Sequence, residues 1–237
     1  MIKALLSTLM LYGSLACSIQ AQTMHVADTS TYLSSIKKEL QRVWPDNRTI
    51  HLVFHGHSVP AGYGDRHEVH TLTSYPYQLL GLLKARYPYA VINVIVTAIG
   101  GENSIQGEKR LVKEVFPHQA DVLFIDYALN DRFQDKEQVK KAYESMIQQA
   151  LQRGIKVVLV TPSPDQRLDI SDPANPLEAF ADQIQALATK YQIGLADPYA
   201  RFKTIAKQGD VKHLMESVNH PNEKGHMIIA EELMRFF

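Results

Sequence analysis

Two residues far apart in the sequence carry the side chains that serine hydrolases use as nucleophile and general base. Ser58 follows an apolar segment at residues 51–55, and His220 lies in a polar segment near the carboxyl terminus. A serine hydroxyl becomes an effective nucleophile when a neighbouring base removes its proton, and imidazole is the commonest such base at neutral pH. The pair therefore predicts acyl transfer through a covalent serine intermediate.

Acyl transfer also needs hydrogen-bond donors for the oxyanion of the tetrahedral intermediate. Gly101 lies in a Gly-Gly turn and Asn130 in an Asn-Asp segment, so a backbone N–H and a side-chain amide are available. Taken alone, each feature is typical of an ordinary turn or helix cap. Together they indicate that Gly101 and Asn130 occupy loops suitable for binding an oxyanion.

Short apolar segments alternate with amphipathic ones along the chain. The pattern predicts strands at residues 51–55, 90–96, 122–125, 156–160 and 194–196, and helices at 32–43, 74–87, 102–116, 135–153, 177–191 and 221–237. Such alternation indicates parallel strands joined by helical crossovers, hence an α/β fold with three α/β/α layers and a mostly parallel sheet of about five strands. Chemistry in such sheets lies at the carboxyl ends of the strands. Ser58, Gly101 and Asn130 all follow predicted strands.

Four segments resemble the sequence blocks of the SGNH, or GDSL-like, hydrolase superfamily, which contribute serine, glycine, asparagine and histidine in this order. They are residues 54–58 (FHGHS), 98–104 (AIGGENS), 126–131 (DYALND) and 219–222 (NHPN). The resemblance implies a flavodoxin-like fold and a carboxylic ester hydrolase of the esterase/acetylesterase branch. It also implies a mechanism without a cofactor or metal, in which Ser58 and His220 are catalytic. The oxyanion would then be bound by the N–H groups of Ser58 and Gly101 and by the side-chain amide of Asn130. Gly101 aligns better than Gly100 with the oxyanion glycine.

The group that orients His220 stays open. The superfamily usually has an aspartate three residues before this histidine, whereas this chain has Ser217 there. Glu216 is the first choice for the orienting acid, and a backbone carbonyl, which would leave a serine–histidine dyad, is the alternative. Asp197 would give the chain order of α/β-hydrolases, but residues 56–60 (GHSVP) lack the Gly-x-Ser-x-Gly elbow of that fold.

The superfamily includes lipases, arylesterases, lysophospholipase-type enzymes and carbohydrate O-acetylesterases. Residues 98–101 and 219–222 are similar to the polysaccharide-acetylesterase branch, so we expect a small-molecule or glycan ester as substrate, above all an O-acetylated carbohydrate. A lipase, arylesterase or lysophospholipase-type hydrolase is the alternative.

Two other classes of function compete with this interpretation. His55 and His57 would point to the same face of a strand, and His67 and His70 follow, which is a pattern that a metal-dependent hydrolase could use. Its loop lacks the acidic ligand that commonly accompanies a His-x-His strand. A non-catalytic carbohydrate-binding protein would keep the fold and stack sugars on tyrosines, the candidates being Tyr63, Tyr75, Tyr77, Tyr87 and Tyr89.

The amino-acid composition excludes several classes of protein. The 237 residues are 45% hydrophobic and carry 25 basic and 25 acidic side chains, so no excess charge indicates binding to nucleic acid or to an anionic membrane. The only cysteine, Cys17, excludes a disulfide framework.

Residues 1–21 are typical of a signal peptide, which leaves one domain at 22–237. We expect this domain to be secreted or periplasmic and without stable membrane insertion. A lipid anchor at Cys17 is disfavoured because Ser14 stands where leucine is usual.

Overall fold

The protein is built around one parallel sheet. The computed structural model describes residues 24–237, apart from the side chain of His67. Its strands are β1 (Thr49–Gly56), β2 (Val91–Val96), β3 (Val122–Asp126), β4 (Lys156–Val160) and β5 (Gly194–Ala196). All neighbours pair in parallel, in the order β2-β1-β3-β4-β5. The predicted α/β fold with a five-stranded parallel sheet is confirmed.

Nine α-helices are present within residues 24–237. They are α1 (Ser34–Leu40), α2 (Ser58–Ala61), α3 (Tyr75–Arg86), α4 (Ser104–Glu114), α5 (Ala128–Asp131), α6 (Lys136–Gln152), α7 (Pro176–Tyr191), α8 (Pro198–Ala206) and α9 (Glu223–Met234). The sequence pattern predicts six of them. It misses α2 and α5, which have four residues each and are too short to show a 3.6-residue period, and α8. No helix in this part of the chain has the length and hydropathy that a membrane span requires.

Side chains alternate between two cores along the central strands. Phe54 and Phe124 belong to the core under α1, α3, α8 and α9, whereas Val53 and Leu123 belong to the core under α4, α6 and α7. A strand buried on both faces needs an apolar residue at every position, which explains the continuous apolar run of β3. The sheet therefore lies between two helical layers.

The chain reverses its direction of winding at β1. It adds β2 on one side of β1 and then returns to place β3 on the other side, so that Phe54 pairs with both Val96 and Phe124. The connections that leave β1 and β3 diverge at this point and open a crevice at the carboxyl edge of the sheet. Ligands of open α/β sheets bind in crevices of this kind.

Candidate active site

Ser58 and His220 meet at this crevice. Ser58 is the first residue of α2, directly after β1, and its Oγ lies 2.9 Å from Nε2 of His220. His220 lies in the loop that precedes α9. Ser58 is only 8% exposed. The structure thus brings together the predicted nucleophile and the predicted base at hydrogen-bond distance.

The start of α2 fixes the backbone at the nucleophile. His57 is the N-cap residue, with extended backbone, and its Nδ1 accepts a hydrogen bond from the N–H of Val59 at 3.2 Å. The N–H groups of a first helical turn have no carbonyl of a preceding turn to bind. The N–H of Ser58 is therefore free of the helix ladder and available to an oxyanion.

The Nδ1 atom of His220 faces Ser217, whose Oγ lies 3.0 Å away. Glu216, which we expected to orient this histidine, does not reach it. Its Oε1 lies 2.9 Å from Nε2 of His70 and accepts a hydrogen bond from the N–H of Asp65 at 3.2 Å. The N–H groups of Glu216 and Ser217 both donate to the carbonyl of His220, at 3.0 and 3.3 Å. This tight turn presents residue 217, and not residue 216, to the ring.

Asp197 serves a different purpose. It caps α8 by accepting a hydrogen bond from the N–H of Ala200 at 3.1 Å, and it accepts another from Thr161 Oγ1 at 2.7 Å. Both bonds secure the start of α8 beside β4. The alternative in which Asp197 orients His220 thus has no hydrogen bond to support it in this structure.

The loops that carry Gly101 and Asn130 are bonded to each other. The N–H of Glu102 donates to the carbonyl of Ile99 at 3.2 Å, which closes a turn with Gly101 at its third position and a φ of 77°. A turn with positive φ at that position favours glycine. One amide proton of Asn130 binds the carbonyl of Glu102 at 2.9 Å, and the amide has a second proton to offer.

Two buried acids brace these loops and were not identified from the sequence. Asp131 accepts hydrogen bonds from the N–H and the hydroxyl of Ser104, at 2.8 and 2.9 Å. Glu102 accepts from Arg110 Nε at 2.7 Å and from the hydroxyl of Tyr127 at 3.0 Å. These contacts join the start of α4 to α5, so the loop that carries Gly101 and the loop that carries Asn130 are held by the same network.

A second buried pair lies beneath the nucleophile. Nε2 of His57 is 3.3 Å from Oδ1 of Asp126, a contact whose geometry falls short of a hydrogen bond, and the side chains are 1% and 5% exposed. The hydroxyl of Tyr75 donates to the other oxygen of Asp126 at 3.0 Å. The sequence signal that could have identified Asp126 is a carboxylate ending an otherwise apolar strand.

The electrostatic environment keeps His220 in its basic form. Burial lowers the pKa of His220 below its ordinary 6.5, nearby His57 lowers it further, and the Glu216 carboxylate raises it. Burial also lowers the pKa of His226 to about 3. The net effect favours the unprotonated ring, which is the form of imidazole that can accept a proton.

His55 and His57, the paired histidines of the metal-hydrolase alternative, do not converge on a common site. His55 is fully buried, with Nδ1 2.8 Å from Thr97 Oγ1 and Nε2 3.0 Å from the carbonyl of Gly107. His57 faces Asp126 instead. One set of three carboxylate or imidazole side chains in residues 24–237 has its polar atoms within 4.8 Å of one another. It consists of Glu68, His70 and Glu216, so it includes His70 but neither His55 nor His57.

Three of the five tyrosines proposed for sugar stacking do not contribute to a surface at the site. Tyr75 is fully buried and Tyr87 is 8% exposed. Tyr89 is 69% exposed, but it precedes β2 and so lies toward the amino ends of the strands, opposite Ser58. These positions remove Tyr75, Tyr87 and Tyr89 from a sugar-stacking surface at the site, whereas Tyr63 is half-buried with its ring against Gly100.

Sequence comparison identifies the family. A model of the GDSL-like lipase/acylhydrolase family matches residues 54–228, from within β1 to within α9. The chain belongs to this family. It is accordingly a hydrolase of ester bonds, and the resemblance to SGNH hydrolases is confirmed. No curated protein sequence matches the chain.

Solved structures of several esterases have the same fold. A two-domain esterase (CEX) active on acetylated mannans has a TM-score of 0.69 at 18% identity, covering 88% of this chain and 53% of its own, so this chain spans about half of that protein. Axe2, an acetylxylan esterase from Geobacillus stearothermophilus, has a TM-score of 0.68 at 21% identity, covering 78% of this chain and 93% of its own. The acetyl xylan esterase AlAXEase has a TM-score of 0.66 at 22% identity, covering 77% and 97%.

Proposed function

We propose that this protein is a serine esterase that removes acetyl groups from an O-acetylated carbohydrate. The observation that carries the proposal is the 2.9 Å approach of Ser58 Oγ to His220 Nε2 at the carboxyl edge of the sheet. Membership of an ester-hydrolase family supports the reaction class. The acetylated glycans acted on by structural neighbours support the substrate class.

In the first half of the reaction, Ser58 Oγ attacks the carbonyl carbon of the ester while His220 Nε2 takes the hydroxyl proton. The N–H groups of Ser58 and Gly101 and the amide of Asn130 bind the oxyanion. Collapse of this intermediate breaks the bond to the sugar oxygen, which leaves with the proton from His220. The products are an alcohol and an acetyl ester of Ser58.

In the second half, His220 removes a proton from water as the water attacks the acetyl carbonyl. The same donors bind the second oxyanion. Its collapse breaks the bond to Ser58 Oγ, which regains the proton from His220, and acetic acid is released. The cycle consumes one water and needs no cofactor.

Exposed apolar side chains beside the site support a carbohydrate as the alcohol part of the ester. Ile99, Phe133 and Val218 are 47%, 71% and 46% exposed. They belong to the segments that carry Gly101, Asn130 and His220, respectively. Sugar rings have apolar C–H faces, and an open rim of this kind can hold a ring while its acetyl group reaches Ser58.

The first experiment compares p-nitrophenyl acetate, butyrate and octanoate as substrates of the wild type and of Ser58→Ala. We expect acetate to be hydrolysed with the highest kcat/KM and the Ser58→Ala variant to lose about 10³-fold or more in kcat, since the nucleophile is gone. Ser35→Ala, at an exposed residue of α1, is the matched control and should keep full activity. Activity that survives in Ser58→Ala would refute the assignment of the nucleophile.

Release of acetate from acetylated xylan and mannan oligosaccharides then tests the substrate class. We expect release by the wild type and none by Ser58→Ala, measured with an enzymatic acetate assay. A preference for octanoate together with no release from either glycan would instead identify a lipase or lysophospholipase type of esterase.

We propose further that residues 1–21 direct export and are removed. These residues lie outside the part of the chain that the structure describes, so the support is their sequence pattern. Intact mass and amino-terminal sequencing of protein recovered from a secreting host should give a chain that begins at Gln22. A retained Met1, or a lipid on Cys17, would contradict this prediction.

A further inference from the structure

In a serine–histidine–acid triad, one carboxylate both orients the histidine ring and supplies negative charge beside it. The turn that carries His220 offers a different residue for each of these two tasks. We propose that Ser217 holds the orientation and tautomer of His220, while Glu216, fixed by His70 at a distance from the ring, supplies the negative charge. This inference rests on the proposed serine-esterase function. It assigns positioning roles to two residues that touch neither substrate nor nucleophile.

The bond to Ser217 sets the tautomer. For Nε2 of His220 to accept the proton of Ser58, Nδ1 must carry the ring proton, so Ser217 Oγ is the acceptor of the 3.0 Å hydrogen bond. A hydroxyl can fix the ring in this way as a carboxylate does. Because the hydroxyl is neutral, it stabilises the imidazolium less than a carboxylate would.

The backbone around Ser217 is held from outside the turn. The side-chain amide of Gln166 donates to the carbonyl of Ser217 at 2.8 Å, and the backbone N–H of Gln166 donates to the carbonyl of Val218 at 2.8 Å. Together with the bonds to the carbonyl of His220, these contacts fix the position of Oγ. The orienting hydroxyl is therefore preorganised.

The Glu216 carboxylate is also held in place, on the other side of the turn. It binds His70 Nε2 at 2.9 Å and the N–H of Asp65 at 3.2 Å. A Cβ atom at residue 64 would overlap both this carboxylate and the His70 ring, so Gly64 is the residue that allows their close approach. The adjacent negative charge favours the protonated form of His220 without touching its ring.

Several other groups face His220 from the elements packed around it. They are His57 at the start of α2 with Asp126 behind it, His226 from α9, and His70 beside Glu216. The Glu68 carboxylate lies 3.5 Å from the same His70 nitrogen. His226 stays neutral above about pH 3 because burial lowers its pKa to that value. The substitutions that test the proposal therefore change Glu216 and Ser217 alone.

The experiment measures kcat and KM of the full chain for p-nitrophenyl acetate from pH 4 to 9. Ser217→Ala should lower kcat about tenfold, the loss of one orienting hydrogen bond, with KM unchanged. Ser217→Thr, which keeps a hydroxyl, should recover most of the rate. A merely structural role would not produce this rescue, because Ser217→Ala and Ser217→Thr would then differ only in thermal stability.

The charge variants move the pH profile in opposite directions. Glu216→Gln removes a negative charge, so the pKa of His220 falls and the acidic limb of kcat/KM shifts to lower pH. Ser217→Asp places a carboxylate on Nδ1, so the acidic limb shifts to higher pH and kcat rises several-fold above wild type. Glu137→Gln on α6 and Ser35→Asp on α1, both at exposed residues, are the matched controls and should not shift the limb.

If Ser217→Ala left kcat unchanged, Ser217 would not orient His220. If Glu216→Gln did not shift the acidic limb of kcat/KM, Glu216 would not supply the charge. Either result would overturn the proposal. Thermal melting identifies any variant that fails to fold, and Ser217→Thr and Glu216→Gln then remain decisive. The two proposals fail separately. Activity retained by Ser58→Ala defeats the serine mechanism itself, whereas inactive Ser58→Ala with wild-type behaviour at 216 and 217 defeats only this inference.

Discussion

Four histidines near the carboxyl edge of the sheet differ in their hydrogen-bond partners and burial. His55 has both ring nitrogens bonded and a pKa lowered to about 4 by burial. His226 accepts from the N–H of Tyr75 at 3.3 Å and is equally buried. His57 caps α2. Of these four, only His220 is partly exposed and has a serine hydroxyl within hydrogen-bond distance of each ring nitrogen, as expected of the proposed general base.

At the residue scale, Asn130→Ala tests the oxyanion hole. Loss of the amide should lower kcat about 10² to 10³-fold, because a preorganised donor acts on charge that develops in the transition state. The measurement is kcat for p-nitrophenyl acetate, with far-ultraviolet circular dichroism to show that the fold is kept. Asn47→Ala, at a half-buried residue whose amide donates to the carbonyl of Tyr89, is the control. Near-normal turnover in Asn130→Ala would remove this residue from the site.

At the scale of elements, the loops after β2 and β3 act as one unit. Asn130 binds the carbonyl of Glu102, and Asp131 binds the start of α4 through Ser104. Fixing the backbone of either loop in one conformation costs about 1 to 2 kcal/mol of conformational entropy per residue. Because the bonds cross between the loops, the turn at Gly101 is held by elements that are themselves buried in the core.

Replacing glycine by alanine should change the free energy of unfolding in opposite directions at Gly101 and at Gly81, because the backbone conformations at these two residues differ. Gly101→Ala should lower the free energy of unfolding by about 1 kcal/mol or more and reduce kcat, since a φ of 77° strains any residue with a Cβ. Gly81→Ala lies inside α3 with open space for the Cβ, so it should stabilise by about 0.5 to 1 kcal/mol. Urea unfolding of both variants measures the difference, and equal effects would contradict the backbone argument.

At the scale of the whole molecule, two cores of apolar side chains enclose a sheet that also buries titratable groups. His55 and His226 are both under 5% exposed, and burial lowers both pKa values. In the unfolded chain each imidazole binds a proton near pH 6.5. Folding therefore requires these two rings to be neutral, which couples the stability of the molecule to pH.

The free energy of unfolding should consequently fall as pH drops from 6.5 toward 4. In this range the unfolded state binds more protons than the native state, so each of the two histidines contributes a slope of at most about 1.4 kcal/mol per pH unit. Urea unfolding at pH 7, 6 and 5 measures it. His55→Gln and His226→Gln should each flatten the dependence, and His25→Gln, at an exposed residue, should not. Parallel curves for all variants would refute the assignment.

The sequence by itself determined the order of the elements and the loops that carry the chemistry. Hydrophobic periodicity and helix caps are local, so the bounds of β4 and β5 and the caps of α6 and α9 follow from neighbouring residues. Because parallel strands align their carboxyl ends, the same pattern predicted that Ser58 would share one edge of the sheet with Gly101 and Asn130. The approach of Ser58 to His220 agrees with the sequence blocks, which lie 162 residues apart.

Only the tertiary structure decided which side chains complete the site. Glu216 and Ser217 are neighbours in sequence, and it is the turn closed on the carbonyl of His220 that directs Ser217 to the ring and Glu216 to His70. The contact of His57 with Asp126 depends on the pairing of β1 with β3. Local sequence patterns cannot predict such contacts, because the direction of a side chain in a loop is set by the elements that pack against it.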